Sequence, residues 1–506
     1  MMWLSQEGQA MLPFPLVRRT FSVRRLAGVG LLACALALVP GSAFAQPAGG
    51  TGDGRDKRIA PTASPQQPTA GNTPSRSMRV PPGSWLQPRT QRSIVPALEE
   101  TRFVPDEVLF ELAPNVEAEA VLRRYGATLI ARQRFELAGV TIIRAKIEAG
   151  RDLRAVLTEM ADDTSIAGAQ PNFLFELQQD SLSGTGTPAG PTTASSDPSM
   201  PAPTPGLRLA DPATAARGSA AVRRILPPQY VVDKLRLGEA RKLAQGRNIR
   251  VGLIDSGVDM EHPEIRGSVL GYLDAIDGLA TPHAHGTSMA TAIVAHGELQ
   301  GIAPAARLIV ARAFGGPQAA SANGKSFQIL TALEWVVQQR AKVINLSFAG
   351  PQDRLLSKAL SGAKERGVIT VAAAGNGGAR SAPLYPGADP SVIAVTATDA
   401  EDKVFSDANR GAYVAVAAPG VDVLTAEPGG RYAFTSGTSI AAAHVTALIA
   451  LLLEKQPELD ADSARRVLAE SAIDLGSRGR DPVYGAGRID PPAALARVLP
   501  VATARP

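Results

Sequence analysis

From Gln229 onward, short apolar runs alternate with amphipathic segments. Asn248–Ile254, Arg307–Arg312, Val343–Leu346, Val368–Ala373, Val392–Thr396 and Tyr413–Ala417 have the length and near-continuous apolar character of strands. Ser326–Gln339, Arg354–Arg366 and Ser439–Glu454 carry their apolar residues at helical spacing. Strands that lack an alternating polar face are buried on both sides, so this region is expected to be an α/β domain, a mainly parallel sheet covered by helices on both faces. Ligands of such sheets sit at the carboxyl ends of the strands. Upstream, Phe103–Leu112, Val140–Ile147 and Phe173–Leu177 read as strands, and Asn115–Tyr125, closed by Gly126, reads as a helix. Asp152–Met160 reads as a second helix, with Leu153, Val156, Leu157 and Met160 on one face. Two strand–helix units of this size predict a small α+β sandwich of ferredoxin-like type.

Between these segments the periodicity disappears. Residues 46–100 and 181–227 are dominated by Pro, Gly, Ser, Thr and Ala and read as solvated linkers. The chain of 506 residues, with 48 Gly and 40 Pro, is therefore two folded units plus linker rather than one domain. A hydrophobic share of 45% with 20% charged residues is globular and supplies a large core. The formal charge of +5 is concentrated at the N-terminus, where residues 1–45 hold four Arg and one Glu and leave only +2 for the remainder. No Lys/Arg stripe interleaves with aromatics, so nucleic acid is not an expected partner.

Those first 45 residues read as a signal peptide: basic Val17–Arg25, apolar Leu26–Val39, then the small-x-small site Ala43-Phe44-Ala45. An apolar run of about 14 residues falls short of the roughly 20 that span a bilayer, so export to the periplasm or the extracellular space is expected and a stable membrane span is not. Arg18-Arg19 fits part of a twin-arginine signal, and Sec export fits as well. The only cysteine, Cys34, lies inside the apolar run, so the mature chain cannot depend on disulfides.

Candidate chemistry lies in the C-terminal region. Asp255 ends the apolar run Val251-Gly-Leu-Ile-Asp255, His285 opens His285-Gly-Thr-Ser-Met-Ala290, and Ser439 stands in Gly437-Thr-Ser439-Ile-Ala441 at the start of a long apolar helix. An acid, a base and a hydroxyl are the parts of nucleophilic acyl transfer. Asn376, in Ala374-Gly375-Asn376 after another strand, would add a side-chain amide donor. An isolated Ser at a helix start is more often an N-cap, and an isolated Asn after a strand is more often a turn residue. Their joint occurrence in this order outweighs both readings.

These segments resemble the subtilisin-like serine protease family (subtilase, peptidase S8), whose Ser-His-Asp enzymes have the chain order Asp, His, Ser. The resemblance covers about residues 228–495, with Ala418-Pro-Gly420 and Tyr484-Gly-Ala-Gly487 included, and residues 103–178 more weakly. It implies a subtilisin-like three-layer α/β/α peptidase domain over 228–498, with Asp255, His285 and Ser439 as catalytic residues and Asn376 in the oxyanion hole. By the same resemblance, residues 101–180 are an inhibitory propeptide that closes with Gln170-Pro-Asn-Phe-Leu-Phe175. Val343–Gly350 resembles the strand that pairs with an extended substrate, which makes Ser347, Phe348, Ala349 and Gly350 candidate substrate contacts. Ala374 and Gly375 join them, and Leu384 is placed at the pocket floor. The expected product is a secreted, autoprocessed serine endopeptidase acting on protein or peptide substrates, with its own propeptide as intramolecular inhibitor.

Five histidines compete for the role of base: His262, His283, His285, His296 and His444. Only His285 precedes Gly-Thr and an apolar helical run; His283 fits the preceding loop, and His444 fits helix packing. Asp259 lies beyond the strand end and reads as a turn or cleft-edge residue. Ile440, Ala443 and Ala349 depart from the residues usual in the family at those positions. The chemistry needs no cofactor; structural calcium is common in the family, yet no ligand set is assignable, Asp274 and Asp277 included. The alternative is a catalytically inactive subtilisin-like binding or assembly domain, which a degraded triad would signal. A nucleotide-binding domain is disfavoured, because no G-x-G-x-x-G or phosphate loop follows a strand.

Overall fold

In the computed structural model, which describes residues 93–177, 226–276, 281–315 and 322–499, the N-terminal part is a β-α-β-β-α-β unit. It comprises β1 (Phe103–Leu112), α1 (Ala118–Arg124), β2 (Ala127–Phe135), β3 (Val140–Ile147), α2 (Leu153–Asp162) and β4 (Ile166–Leu177). The strands pair antiparallel in the order β4-β1-β3-β2. Helix α1 starts three residues later than its pattern suggests, because Asn115 adopts a left-handed backbone (φ 63°). Helix α2 is capped by Asp152, whose carboxylate accepts from the amides of Arg154 and Ala155. The expected signal peptide, residues 46–92 of the first linker and residues 181–225 of the second lie outside the described residues.

The second part runs α3 (Tyr230–Lys234), α4 (Leu237–Leu243), β5 (Arg250–Asp255), β6 (Val269–Asp274), α5 (Ala284–Val294), β7 (Arg307–Arg312), β8 (Asn323–Lys325), α6 (Ser326–Gln338), β9 (Val343–Leu346), β10 (Phe348–Ala349) and α7 (Arg354–Glu365). It continues with β11 (Ile369–Ala373), β12 (Val392–Thr398), β13 (Val414–Pro419), β14 (Val423–Glu427), β15 (Arg431–Thr435), α8 (Thr438–Lys455), α9 (Ala461–Ser471) and α10 (Pro491–Val498). Seven of these strands form a parallel sheet in the order β13-β12-β11-β9-β5-β7-β6. The chain begins this sheet at β5, lays β6 at the edge, returns with β7 between the two, and then passes to the other side of β5 with β9. Between β5 and β9 the winding reverses, and sheets of this kind place their ligands at the strands' carboxyl ends beside such a reversal.

Helices α5 and α8 bury their side chains against one face of the sheet, with α9 and α10 beyond, while α6 and α7 cover the other face. This is the subtilisin-like three-layer α/β/α arrangement. Helix α8 is long and apolar enough to cross a membrane, and 89% of its apolar stretch is buried inside the fold, as a core helix requires.

The N-terminal sheet continues into the second part. Strand β4 pairs antiparallel with both β8 and β10, and its residues join the same buried cluster as α6 and α7. Two side-chain amides next to Pro171 meet the starts of those helices. Gln170 donates from Nε2 to Asp353 Oδ1 (2.8 Å) and accepts from the Leu355 amide (3.2 Å), at the first turn of α7. Asn172 Oδ1 accepts from the Phe327 amide (3.1 Å), at the first turn of α6. Helix N-termini carry amides without intrahelical acceptors, so these contacts satisfy groups that the interface would otherwise bury unpaired.

Candidate active site

Asp255 closes β5 at the point where the sheet reverses, and it is fully buried. Its Oδ1 accepts from the Ser256 amide (2.7 Å) and from His285 Nδ1 (2.8 Å), and the Ser256 hydroxyl lies 3.1 Å away. A carboxylate offers only acceptors, so Nδ1 is the donor and the neutral ring leaves a bare Nε2. His285 lies in the first turn of α5, which His283 caps by accepting from the His285 amide. Its Nε2 is buried and has no hydrogen-bond partner among the described residues. His285 and Asp255 are thus held together away from water.

Ser439 enters at the N-terminus of α8, after Gly437 in a backbone conformation (φ 144°) that L side chains rarely adopt. The Ser439 hydroxyl donates to the Ser347 carbonyl (3.2 Å), and the Ser347 hydroxyl donates back to the Ser439 carbonyl (2.9 Å). Behind them, Asn345 Nδ2 donates to Ser347 Oγ (2.8 Å) and the Thr446 hydroxyl donates to Asn345 Oδ1 (3.0 Å). This chain of bonds ties the first turns of α8 to the end of β9.

Asn376 follows β11, and its Oδ1 accepts from the amide (3.1 Å) and the hydroxyl (2.7 Å) of Thr438. Two donors on Oδ1 fix the flip of the amide, so Nδ2 is the end directed away from Thr438. Thr438 stands beside Ser439 in the sequence, yet its role as the anchor of Asn376 comes from a contact across 62 residues.

The run Val343–Gly350 does not form the single strand expected of it. It breaks at Ser347, whose hydroxyl and carbonyl both engage Ser439, and only Phe348–Ala349 continues as β10. Gly350 exchanges two backbone hydrogen bonds with Tyr385 (2.8 and 3.0 Å). Ala374 is buried, with its carbonyl accepting from the Tyr413 hydroxyl (2.9 Å). A Cβ on Gly375 would come within 2.9 Å of Leu384 Cδ1, so these two residues form one wall.

The chain is similar to known proteins. The profile of the Subtilase family matches residues 246–487. Subtilisin DY from Bacillus licheniformis is 34% identical over 260 residues, which span 49% of this chain and 92% of that protein. The chain belongs to the subtilase family. Thermitase from Thermoactinomyces vulgaris is 32% identical over 270 residues, spanning 52% of this chain and 94% of thermitase. Fervidolysin from Fervidobacterium pennivorans is 33% identical over 292 residues, 51% of this chain and only 42% of fervidolysin. The crystal structure of fervidolysin, described as a keratinolytic enzyme related to subtilisin, aligns with a TM-score of 0.61 at 22% identity, over 80% of this chain and 63% of that one; this is a likeness of fold. As a subtilase, the chain is a serine-type endopeptidase.

The other histidines of this subtilase have separate surroundings. His262 packs edge-on against Tyr432 and contacts the Arg431 carbonyl through Nε2, and His296 contacts the Val294 carbonyl. Asp259 accepts from the amides of Glu261 and Gly429. Asp274 accepts from Arg312, and Asp277 lies outside the described residues. No group of three or more His, Cys, Asp or Glu side chains suited to a metal comes together among the described residues.

His444 is buried in α8 with Nδ1 donating to the Pro419 carbonyl, and burial pushes its pKa down from 6.5 to about 4. The unfolded chain therefore takes up a proton at His444 between about pH 6.5 and 4 that the folded chain refuses, and stability falls as pH falls through that window. In the Ser439→Ala protein, which avoids self-digestion, acidification from about pH 7 to 4.5 is expected to remove about 2–3 kcal/mol through this group. Urea unfolding checks it: His444→Gln should lose that part of the pH dependence.

Proposed function

We infer that the chain is an exported endopeptidase precursor in which Ser439 is the nucleophile, His285 the general base and Asp255 the residue that orients His285. The observation that carries this reading is the buried 2.8 Å contact between Asp255 and His285 at the reversal of the sheet, beside the helix that presents Ser439. In the proposed reaction Ser439 Oγ bonds to the carbonyl carbon of the substrate while its proton passes to His285 Nε2. Asn376 Nδ2 and the Ser439 amide donate to the oxygen that becomes negative. His285 then delivers the proton to the leaving amine, and water releases the acyl group by the same steps in reverse. These steps draw only on side chains and backbone of the chain and on water, with no cofactor.

Residues 103–177 are proposed to be the propeptide, an inhibitor held in the cleft. Support comes from β4, which runs between β8 and β10 as an added strand, the way an extended peptide binds a sheet edge. Glu176 pairs with Ala349 and Leu177 with Phe348, next in sequence to Ser347, whose carbonyl accepts from the Ser439 hydroxyl. Phe175 is fully buried, edge-on to Phe348 at 5.8 Å. The proposed precursor is cut shortly after Leu177. Mapping the termini of the secreted protein tests this: the expected mature chain begins within residues 178–228, and an intact chain starting near Gln46 would contradict it.

Gly350 gives a finer test of the inhibitor reading. A Cβ at this position would stand 2.4 Å from Phe175 Cδ1, and all three of its nearest atoms belong to that ring. Gly350→Ala therefore crowds the occupant of the cleft. Overpacking of this kind costs about 1–3 kcal/mol, which corresponds to roughly 5- to 150-fold weaker inhibition. The lag before peptidase activity appears is expected to shorten accordingly in cultures of the variant.

A further inference from the structure

We propose that His283 is a positioning residue for the Asp255–His285 pair, acting through the Ser256 hydroxyl, and that it makes the acid side of the reaction respond to two protons instead of one. The proposal rests on the reading of Asp255, His285 and Ser439 as the catalytic set.

Ser256 Oγ is buried at the centre of a small network. It lies 2.9 Å from His283 Nδ1 and 3.1 Å from Asp255 Oδ1, and it accepts from the Gly286 amide at 3.1 Å. His283 Nδ1 also accepts from the His285 amide at 3.2 Å. A serine hydroxyl carries one proton, so Ser256 donates either to His283 or to Asp255 at any moment. With Nδ1 bare, His283 receives the Ser256 proton and the His285 amide together, and the start of α5 is fully capped.

Protonation at Nδ1 reverses the network. His283 must then donate to Ser256, Ser256 turns its only proton onto Asp255 Oδ1, and the His285 amide loses its acceptor. Asp255 gains a charge-assisted bond that competes with the one to His285. A positive charge also arrives at the positive end of the α5 dipole, two residues from the base that must itself become cationic during the reaction. Both changes oppose the transfer of the Ser439 proton to His285.

Among the described residues, charged and titratable groups lie near His283 on β5, on α5 and on the loop after β5. Asp255 reaches it from β5 through Ser256, and His285 belongs to α5 itself. Asp259, on the loop after β5, is committed to the amides of Glu261 and Gly429. Asp277, in the segment before Thr281, lies outside the described residues. The His283 amide donates to Gly257 O (2.9 Å) and its carbonyl accepts from Thr287, so the backbone of this residue is clamped whichever proton arrangement is present.

The test is the pH profile of kcat/KM for the processed enzyme on a fluorogenic peptide, measured for the natural chain, for His283→Asn and for Ser256→Ala. Asn retains an acceptor for the His285 amide and has no proton to gain near neutral pH; Ser256→Ala cuts the link while keeping His283. On the acid side the natural enzyme is expected to approach a hundredfold loss per pH unit, His283→Asn a tenfold loss, and Ser256→Ala a limb of intermediate steepness. A tenfold-per-unit acid limb in the natural enzyme, or the same steep limb in His283→Asn, overturns the proposal. Were the catalytic assignment itself wrong, Ser439→Ala would retain activity, which separates the two failures.

Discussion

Replacing Ser439 by Ala is expected to leave the chain uncut and to lower peptide hydrolysis by roughly 10⁴–10⁶-fold, the range seen when the nucleophile is removed from enzymes of this mechanism. The size of the effect follows from the role. Of the neighbouring hydroxyls, that of Thr438 is given to Asn376 Oδ1 and that of Ser347 holds the Ser439 carbonyl. Ala removes two atoms' worth of polarity and leaves the Ser347 hydroxyl bond to the backbone of residue 439 in place, so the fold should be retained. Export of the variant as a single chain that still spans residues 93–177, together with unchanged circular dichroism, checks both parts.

Asn376→Leu is expected to cost about 10²–10³ in kcat with little change in KM, the loss known from removing such a donor in a subtilisin. Thr438 donates to Asn376 Oδ1 through both its amide and its hydroxyl, which orients Nδ2 before any substrate arrives. A donor set in advance stabilises charge that exists only in the transition state, so the ground-state complex is little affected. Leucine keeps the volume and loses both the donor and the acceptor. Steady-state kinetics on the processed enzyme checks the split between kcat and KM.

The strands and helices that line the peptidase core were legible because each is buried on both faces or carries one strong apolar stripe. Val251–Asp255 and Val343–Leu346 have no polar face at all, and α7 alternates Leu355, Leu356, Ala359, Leu360 and Ala363 against charged residues. Strand β2 left no such mark: it is the edge of its sheet, Leu129 and Ile130 are exposed, and a bulge breaks its register. The β14–β15 hairpin was equally hidden, since Arg431–Thr435 is half exposed.

Order and local context carried the candidate site further than periodicity did. Asp255, His285, Asn376 and Ser439 were each recognisable within five or six residues of sequence. What surrounds them was not, because it depends on contacts between distant segments: Ser256 with His283 across 27 residues, Asn345 with Thr446 across 101, and Gln170 with Asp353 across 183. The break at Ser347 belongs to the same class, since only the presence of α8 explains why the strand stops there.

Labelling with a fluorophosphonate, followed by peptide mapping, tests the catalytic assignment most directly. The processed protein is predicted to carry one adduct, on Ser439, and to lose it in both Ser439→Ala and His285→Ala. An adduct on another residue, or undiminished labelling of Ser439→Ala, would contradict the assignment.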